Sequence, residues 1–211
     1  MLIEFFGLTG SGKTIIAKSL ENNDSYLYIR LNSKGEYYFH LILFFIKRPL
    51  ICILLLHKLF SHNTNSSLFK HKLLLFLETM AKYNKANSNN IDCHILDEGF
   101  YQMSLTIYET IVDSIKYTNF LKIIPKPDII IIINSSKKTR RNRLIRRNFF
   151  PRQNFGMDYV NKWMPIMNNN FVTIEGILKK SKTNCIFISN NDDNNIDAIV
   201  KTINNKLSEL R

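Results

Sequence analysis

Short apolar, β-branched runs alternate along this chain with longer segments in which apolar residues recur at helical spacing. Leu2–Phe6 leads into glycines, and Asp128–Asn134 contains five consecutive isoleucines, so both predict buried strands. Apolar runs at Tyr26–Leu31, Cys93–Leu96 and Cys185–Ser189 predict three more strands. β-branched runs bounded by turn residues are typical of a parallel sheet that is covered on both faces.

The segments between these runs have apolar residues three and four positions apart, which predicts helices. They are Lys13–Glu21, two helices that break at Pro49, Leu68–Met80, Tyr101–Ile115, Ser136–Arg147, Tyr159–Lys180 and Asp197–Leu210. The alternation of strands and helices predicts an α/β fold with three layers and a mainly parallel, five-stranded sheet. We expect a single domain over residues 1–211, with a helical insertion at residues 36–86.

The most apolar stretch of the chain is Tyr37–Phe60. Lys47, Arg48 and Pro49 divide it into apolar runs of six and seven residues, whereas a membrane-spanning helix needs about 20. Because proline often opens a helix at its first position, the pattern predicts two buried helices that break at Pro49. The alternative is a helical hairpin that touches a membrane surface or an acyl-chain substrate.

Charge and cysteine content narrow the classes of protein. The formal net charge of +12 indicates attraction to anions but does not distinguish nucleic acid, anionic lipid and polyphosphate. Cys52, Cys93 and Cys185 are far apart and form no CxxC pair, which predicts neither a zinc site nor a disulfide framework. A cytoplasmic location fits this cysteine usage. Glu4 and Gly7 interrupt the first apolar run, so we expect no signal peptide.

A phosphate-binding loop is the strongest motif, because residues 7–14 read GLTGSGKT and match GxxxxGK[ST] at every fixed position. Glycines let the backbone bring its N–H groups close to phosphate oxygens, and the following helix directs its positive end at the same anion. Lys13 is expected to reach the β- and γ-phosphates of ATP, and the Thr14 hydroxyl to ligate Mg²⁺. The predicted phosphate contacts are Gly7, Thr9, Gly10, Ser11, Gly12, Lys13 and Thr14. GTPase switching is not expected, since the chain has neither DxxG nor NKxD.

Two adjacent carboxylates, Asp97 and Glu98, follow the third predicted strand. The carboxyl ends of parallel strands converge on the crevice where ligands bind. Asp97 is therefore a candidate for Mg²⁺ or for polarising an acceptor hydroxyl, and Glu98 is a candidate for the same roles. An N-cap of the following helix is the alternative interpretation of both residues.

An arginine-rich segment at residues 137–156, the predicted lid, follows the strongest strand. Arg143 and Arg147 are four residues apart and share one helical face. Fixed guanidinium groups stabilise the negative charge that spreads over a phosphoryl group during transfer, so both are candidate catalytic residues. A solvated basic face and a nucleic-acid patch are the alternatives. Nucleic-acid binding is disfavoured because few aromatic residues are interleaved with these cations.

The order of these motifs resembles the P-loop nucleoside and nucleotide kinases, thymidylate kinase in particular. The resemblance rests on FFGLTGSGKT, the strand end Tyr28-Ile29-Arg30, ILDEG at Asp97, PKPDIIIIIN with the arginine helix, and the closing strand and helix. It implies that Asn190 and Asn191 approach adenine and that Arg30 holds an acceptor anion. The chain departs from the thymidylate kinase pattern at Glu98, where an arginine is usual, and in residues 36–86.

These features together predict an ATP- and Mg²⁺-dependent kinase that phosphorylates a nucleotide or nucleoside-like acceptor. One alternative is a kinase for another acceptor, such as a sugar or a lipid-linked intermediate. A second is a P-loop ATPase that binds nucleic acid or a membrane surface. The sequence leaves the acceptor, peripheral membrane contact and a homodimeric state open.

Overall fold

The computed structural model describes residues 1–22, 25–61, 65–88, 93–191 and 195–210. Within these residues, five parallel strands form one sheet in the order β2-β3-β1-β4-β5. The strands are Leu2–Phe6 (β1), Leu27–Tyr28 (β2), His94–Leu96 (β3), Ile129–Asn134 (β4) and Cys185–Ser189 (β5).

The first strand occupies the centre of the sheet, where Ile3 pairs with Ile95 of β3 on one side and with Ile129 of β4 on the other. The chain order reverses on either side of β1, which creates a crevice at the carboxyl ends of the strands. The glycine loop after β1, Asp97 after β3 and the turn after β4 all reach this edge. The topology therefore brings together motifs that are far apart in the sequence.

Helices cover both faces of the sheet, as predicted for a three-layer α/β fold. They are Lys13–Glu21 (α1), Lys34–Lys47 (α2), Pro49–Ser61 (α3), Ser66–Ala86 (α4), Phe100–Ile107 (α5), Ser114–Ile123 (α6), Lys137–Arg146 (α7), Met157–Lys180 (α8) and Ile196–Ser208 (α9). A short 3-10 helix, Gln153–Phe155, precedes α8. Helices α1 and α9 pack with one apolar cluster, and α2 to α6 and α8 pack with the other.

The single helix predicted over Tyr101–Ile115 is wrong. Helix α5 ends at Ile107, and α6 begins at Ser114 after Asp113, whose side chain accepts the N–H of Lys116 at 2.8 Å. In between, the Val112 N–H donates to Asn170 of α8, which in turn donates to the carbonyl of Thr110. These tertiary hydrogen bonds replace the helical ones that the periodicity predicted.

Two other expectations need correction. The strand predicted over Tyr26–Leu31 is limited to Leu27–Tyr28, at the edge of the sheet. The helix break at Pro49 is confirmed, but α2 and α3 are buried on one face only. In the part of the chain that the structure describes, no single helix has the length and hydropathy of a membrane span. Helices α2 and α3 reach those criteria only as a pair, bent by 104° at the break.

Candidate active site

The glycine loop after β1 has the backbone shape of a phosphate cradle. Gly10 and Gly12 have φ angles of +83° and +96°, in the left-handed region that favours glycine. A Cβ atom on Gly12 would also lie 2.3 Å from the side-chain nitrogen of Asn190. Helix α1 begins at Lys13, so its positive end adjoins the loop. The arrangement suits an anion bound by backbone N–H groups.

The Lys13 side chain is buried and folds back over its own loop. Its Nζ donates to the carbonyl oxygens of Gly7 at 2.7 Å and Leu8 at 3.5 Å. Burial lowers the pKa of Lys13, while the nearby carboxylates of Glu98 and Asp97 oppose that shift. The ammonium group is thus held at the loop between backbone oxygens and two acidic residues.

The Thr14 hydroxyl and the Asp97 carboxylate meet as the motif predicts, with Thr14 Oγ1 donating to Asp97 Oδ2 at 3.0 Å. The hydroxyl of Tyr28, at the end of β2, donates to the same carboxylate, and burial together with this carboxylate raises the Tyr28 pKa. Hydroxyl and carboxylate oxygens are the donors that Mg²⁺ prefers, and this ion typically takes only one or two protein ligands in phosphate sites. Among the described residues there is no cluster of three or more His, Cys, Asp or Glu side chains placed to hold a metal ion. The pair fits Mg²⁺ held partly by phosphate.

Glu98 faces a cavity of about 240 Å³ above the glycine loop. Desolvation by the surrounding protein raises the pKa of Glu98, and the nearby Lys13 ammonium opposes the shift. The Glu98 side chain keeps an exposed surface at this cavity. The cavity is lined by Thr9, Gly10, Gly12, Lys13, Thr14, Ile15, Glu98 and Arg147.

The two lid arginines reach the loop in different ways. Arg147, which follows α7, lines the cavity. Arg143 donates to the carbonyl oxygens of Gly10 and Ser11 and to the Asn190 side chain, each at 3.3 Å. Both predicted residues are therefore brought to the glycine loop, one into the cavity and one against the loop backbone.

Asn190 and Asn191 lie behind the loop, at the start of the connection from β5 to α9. The buried Asn190 side chain donates to the Ser11 carbonyl at 2.7 Å, and its backbone N–H donates to the Asn134 carbonyl. The Asn191 side chain accepts the N–H of Ser136 at the start of the lid helix. Asn190 thus supports the glycine loop and Asn191 supports the start of the lid helix. The adenine contact implied by the resemblance stays a prediction.

Arg30 lies beyond β2 and pairs with Glu21 of α1. Its guanidinium group is also 4.8 Å from the centre of the Tyr28 ring. Helix α4 also reaches this side of the sheet, where the Lys85 side chain donates to the Arg30 carbonyl oxygen. The acceptor-anion role of Arg30 stays a prediction.

Sequence reasoning missed a buried carboxylate, Glu4, within β1. It accepts the backbone N–H of Gln102 at 3.0 Å and further N–H groups at the start of α5, and Gln102 in turn accepts the Gly7 N–H at 3.2 Å. Burial raises the Glu4 pKa to about 8, against the effect of these donors. A Cβ atom on Gly99 would lie 2.4 Å from the Glu4 carboxyl carbon. A charged residue inside an otherwise apolar strand was the available signal.

Arg140, on the inner face of α7, was also missed as an individual residue. It is buried, its guanidinium donates to Asn168 of α8 at 2.9 Å, and it lies close enough to Lys13 to lower that pKa further. The lid helix is thus attached to α8 by Arg140 and to the glycine loop by Arg143.

The chain has the same fold as solved structures of nucleoside and nucleotide kinases. A deoxyadenosine kinase from M. mycoides, solved with dCMP and dCDP, aligns with a TM-score of 0.58 and 18% identity over 99% of this chain and 100% of its own. Thymidylate kinase from Candida albicans aligns at 0.56 and 14% identity over 99% and 91% of the two chains. The thymidylate kinase from Ehrlichia chaffeensis aligns with a TM-score of 0.51 and 17% sequence identity over 98% of each chain. No protein-family model and no curated protein sequence matches the chain.

Proposed function

We propose that this chain, which has the fold of the P-loop nucleoside and nucleotide kinases, is an ATP- and Mg²⁺-dependent phosphotransferase. The observation that carries the proposal is the meeting of three groups around one cavity: the phosphate-loop lysine Lys13, the oxygen pair of Thr14 and Asp97, and the lid arginine Arg147. Phosphoryl transfer needs fixed positive charge and positioning more than covalent chemistry, and this cavity supplies both.

In this proposal the glycine loop binds the phosphates of the donor, ATP. Backbone N–H groups of residues 7–14 hold the phosphates, and Lys13 exchanges its contact with the Gly7 carbonyl for a phosphate oxygen. Thr14 and Asp97 would hold Mg²⁺, which supplies charge that neutralises the phosphates. Arg147 stabilises the transferring group, and Arg143 keeps the loop in shape while it approaches the same charge.

The acceptor is a nucleoside or nucleotide in our proposal, with Glu98 placed to orient its hydroxyl. A carboxylate with a raised pKa is suited to accept a proton from a hydroxyl group. The same carboxylate would repel an acceptor phosphate, since that group is itself anionic. Glu98 therefore supports a hydroxyl acceptor, such as a nucleoside, over a nucleoside monophosphate.

A sugar or lipid-linked alcohol is the second candidate acceptor, favoured by one specific observation. Helices α2 and α3, which belong to the region where the acceptor half is expected, expose large apolar side chains instead of a polar surface. The acceptor hydroxyl would meet Glu98 in the same way, so the donor chemistry does not separate the two candidates.

A phosphorylation screen tests the proposal. The purified protein is incubated with ATP, Mg²⁺ and a panel of nucleosides, nucleoside monophosphates, sugars and polyprenols, and products are read by mass spectrometry. We expect a phosphorylated nucleoside, formed together with ADP. ADP formation that needs no small acceptor and rises with nucleic acid or vesicles would contradict the proposal and favour an ATPase.

A further inference from the structure

The outer faces of α2 and α3 carry a series of large exposed apolar side chains, here called the outer patch. Each of them is 44% to 74% exposed, far above what a side chain in a core shows. The residues of the outer patch are Tyr38, Phe39, Ile42, Ile46, Leu50, Ile53, Leu54 and Phe60. Exposed apolar residues that occur singly need no explanation, whereas a contiguous group marks an interaction surface.

The outer patch is a second apolar face on helices that already bury one. Phe44 of α2 and Cys52, Leu55 and Leu59 of α3 are buried in the same core cluster. Because both helices turn these residues towards one core, their opposite faces both point away from the protein. The exposed residues of α2 and those of the first half of α3 recur three and four positions apart, and Phe60 lies two helical turns after Ile53, which is the spacing of one stripe. A helix that is apolar on both faces normally has an apolar environment on both sides.

Within Tyr37–Phe60, the segment that holds the outer patch, the formal charges are all positive. No Asp or Glu occurs between Tyr37 and Phe60, whereas Lys47, Arg48 and Lys58 do. Lys47 is exposed at the bend between the helices, and Lys58 is half-buried on α3. An apolar stripe with flanking lysines and without carboxylates matches the chemistry of an anionic lipid surface.

We propose that the outer patch docks the protein on the surface of an anionic bilayer, with α2 and α3 lying in the interface. The bend of 104° between the helices suits a surface-bound arrangement and not a straight span. The apolar side chains enter the boundary between headgroups and acyl chains, to a depth of about 5–10 Å. Lys47 and Lys58 stay at headgroup level and contact lipid phosphates.

A second copy of the chain is the competing occupant, and charge disfavours it. A twofold interface would place the outer patch against itself, and residues 37–60 of the facing copy offer no carboxylate to pair with Lys47, Arg48 or Lys58. An anionic bilayer meets both the apolar and the cationic parts of the surface. The docking proposal does not depend on phosphotransfer.

Vesicle co-sedimentation tests the proposal with the full chain. The triple variant Ile46→Gln, Leu50→Gln, Ile53→Gln changes the outer patch at side chains that are 62% to 74% exposed, so folding is preserved. The matched control changes Ile111, Ile115 and Val172 to Gln, side chains of similar exposure that lie on α6, on α8 or in the loop before α6. The vesicles contain phosphatidylcholine and phosphatidylglycerol, or phosphatidylcholine alone.

We expect three proteins to sediment with the anionic vesicles: the unchanged protein, the control variant and Lys13→Ala. Each should bind more weakly to vesicles of phosphatidylcholine alone and at high salt. The outer-patch variant should lose about tenfold or more in vesicle affinity. Equal binding by the outer-patch and control variants would overturn the proposal, as would no binding by the unchanged protein. A concentration-dependent dimer in sedimentation velocity, lost only in the outer-patch variant and without vesicle binding, would assign the surface to a second copy instead. Since Lys13→Ala abolishes transfer in our account, failure of docking and failure of the proposed kinase activity are separate outcomes.

Discussion

Arg143 and Arg147 are one helical turn apart, yet their side chains meet different partners. Arg147 lines the cavity above the phosphate loop, whereas Arg143 donates to loop carbonyls and to Asn190. In our proposal Arg143 therefore maintains the shape of the loop, whereas Arg147 stabilises the charge on the transferring group. The sequence placed both arginines on one face of a helix and could not separate these two contributions.

Replacing each arginine should give different kinetics. Arg147→Ala is expected to lower kcat on the order of 100-fold with little change in ATP affinity, because it acts on charge that develops in the transition state. Arg143→Ala should weaken ATP binding as well, since the loop loses three hydrogen bonds. Steady-state kinetics and ATP titration measure both, with the exposed Arg146→Ala as the control. Equal losses of kcat and affinity in Arg147→Ala would contradict its assignment.

Glu4 predicts a pH dependence of stability. Burial raises its pKa from 4.5 to about 8 in the folded protein, so the folded state holds this proton more tightly than the unfolded chain. The protonated Glu4 side chain contributes to the free energy of unfolding. This contribution is complete below pH 4.5 and is lost as pH rises through 8, so the free energy of unfolding falls by on the order of 5 kcal/mol.

The variant Glu4→Gln removes this titration. Its free energy of unfolding, measured in urea at several pH values, should fall less between pH 5 and 8 than that of the unchanged protein. The exposed Glu209→Gln is the control and should keep the original slope. A Glu4→Gln profile parallel to the unchanged protein would show that Glu4 does not titrate in this range.

At the scale of elements, the connection from α5 to α6 is held by a buried ionic cluster. Glu109 pairs with Lys72 of α4 at 2.5 Å and with Arg152 at 2.8 Å, and Tyr159 donates to its other oxygen. The Arg152 guanidinium also lies 4.0 Å from the Trp163 ring centre. Burial lowers the pKa of Lys72 to about 8, and Glu109 opposes that shift. One carboxylate thus supports two buried cations and ties the end of the lid to α4 and α8.

Removing that carboxylate should be costly. Glu109→Gln is expected to lower the free energy of unfolding by about 3–5 kcal/mol, because two buried cations would each lose a carboxylate partner. Urea unfolding measures the loss. The matched control is Glu78→Gln in the exposed α4 pair with Lys82, where about 0.5 kcal/mol or less is expected. Similar losses in the two variants would contradict the account of the cluster.

The same cluster explains why the sequence predicted these elements incompletely. Helical spacing continues through Tyr101–Ile115, so local pattern alone favoured one helix. Contacts of Glu109 and Val112 with distant residues end it at Ile107. The Asp113 N-cap of α6 can be predicted from the local sequence. The partners of Glu109 and Val112 cannot, because they lie 43 and 58 positions away along the chain. By contrast, β1, β4 and β5 and the helices after them depend on strong local periodicity and were predicted closely.

At the scale of the whole molecule, the sheet order explains what the motifs have in common. Placing β1 between β3 and β4 brings the glycine loop, Asp97 and the lid to one edge of the sheet. The proposed donor side was predictable because each part is a short local motif. The proposed acceptor side was not, since no local motif marks the residues of α2 and α4 that pack towards it.

The central claim is that the site around Lys13 transfers the γ-phosphoryl group of ATP to a small acceptor. Its most direct test follows labelled γ-phosphate from ATP to a nucleoside, with the unchanged protein, Lys13→Ala and the exposed Lys18→Ala on the same helix. We predict label in the nucleoside product for the unchanged protein and for Lys18→Ala, and a loss on the order of 100-fold or more for Lys13→Ala. Undiminished transfer by Lys13→Ala, or release of labelled phosphate to water without a phosphorylated acceptor, would contradict the account.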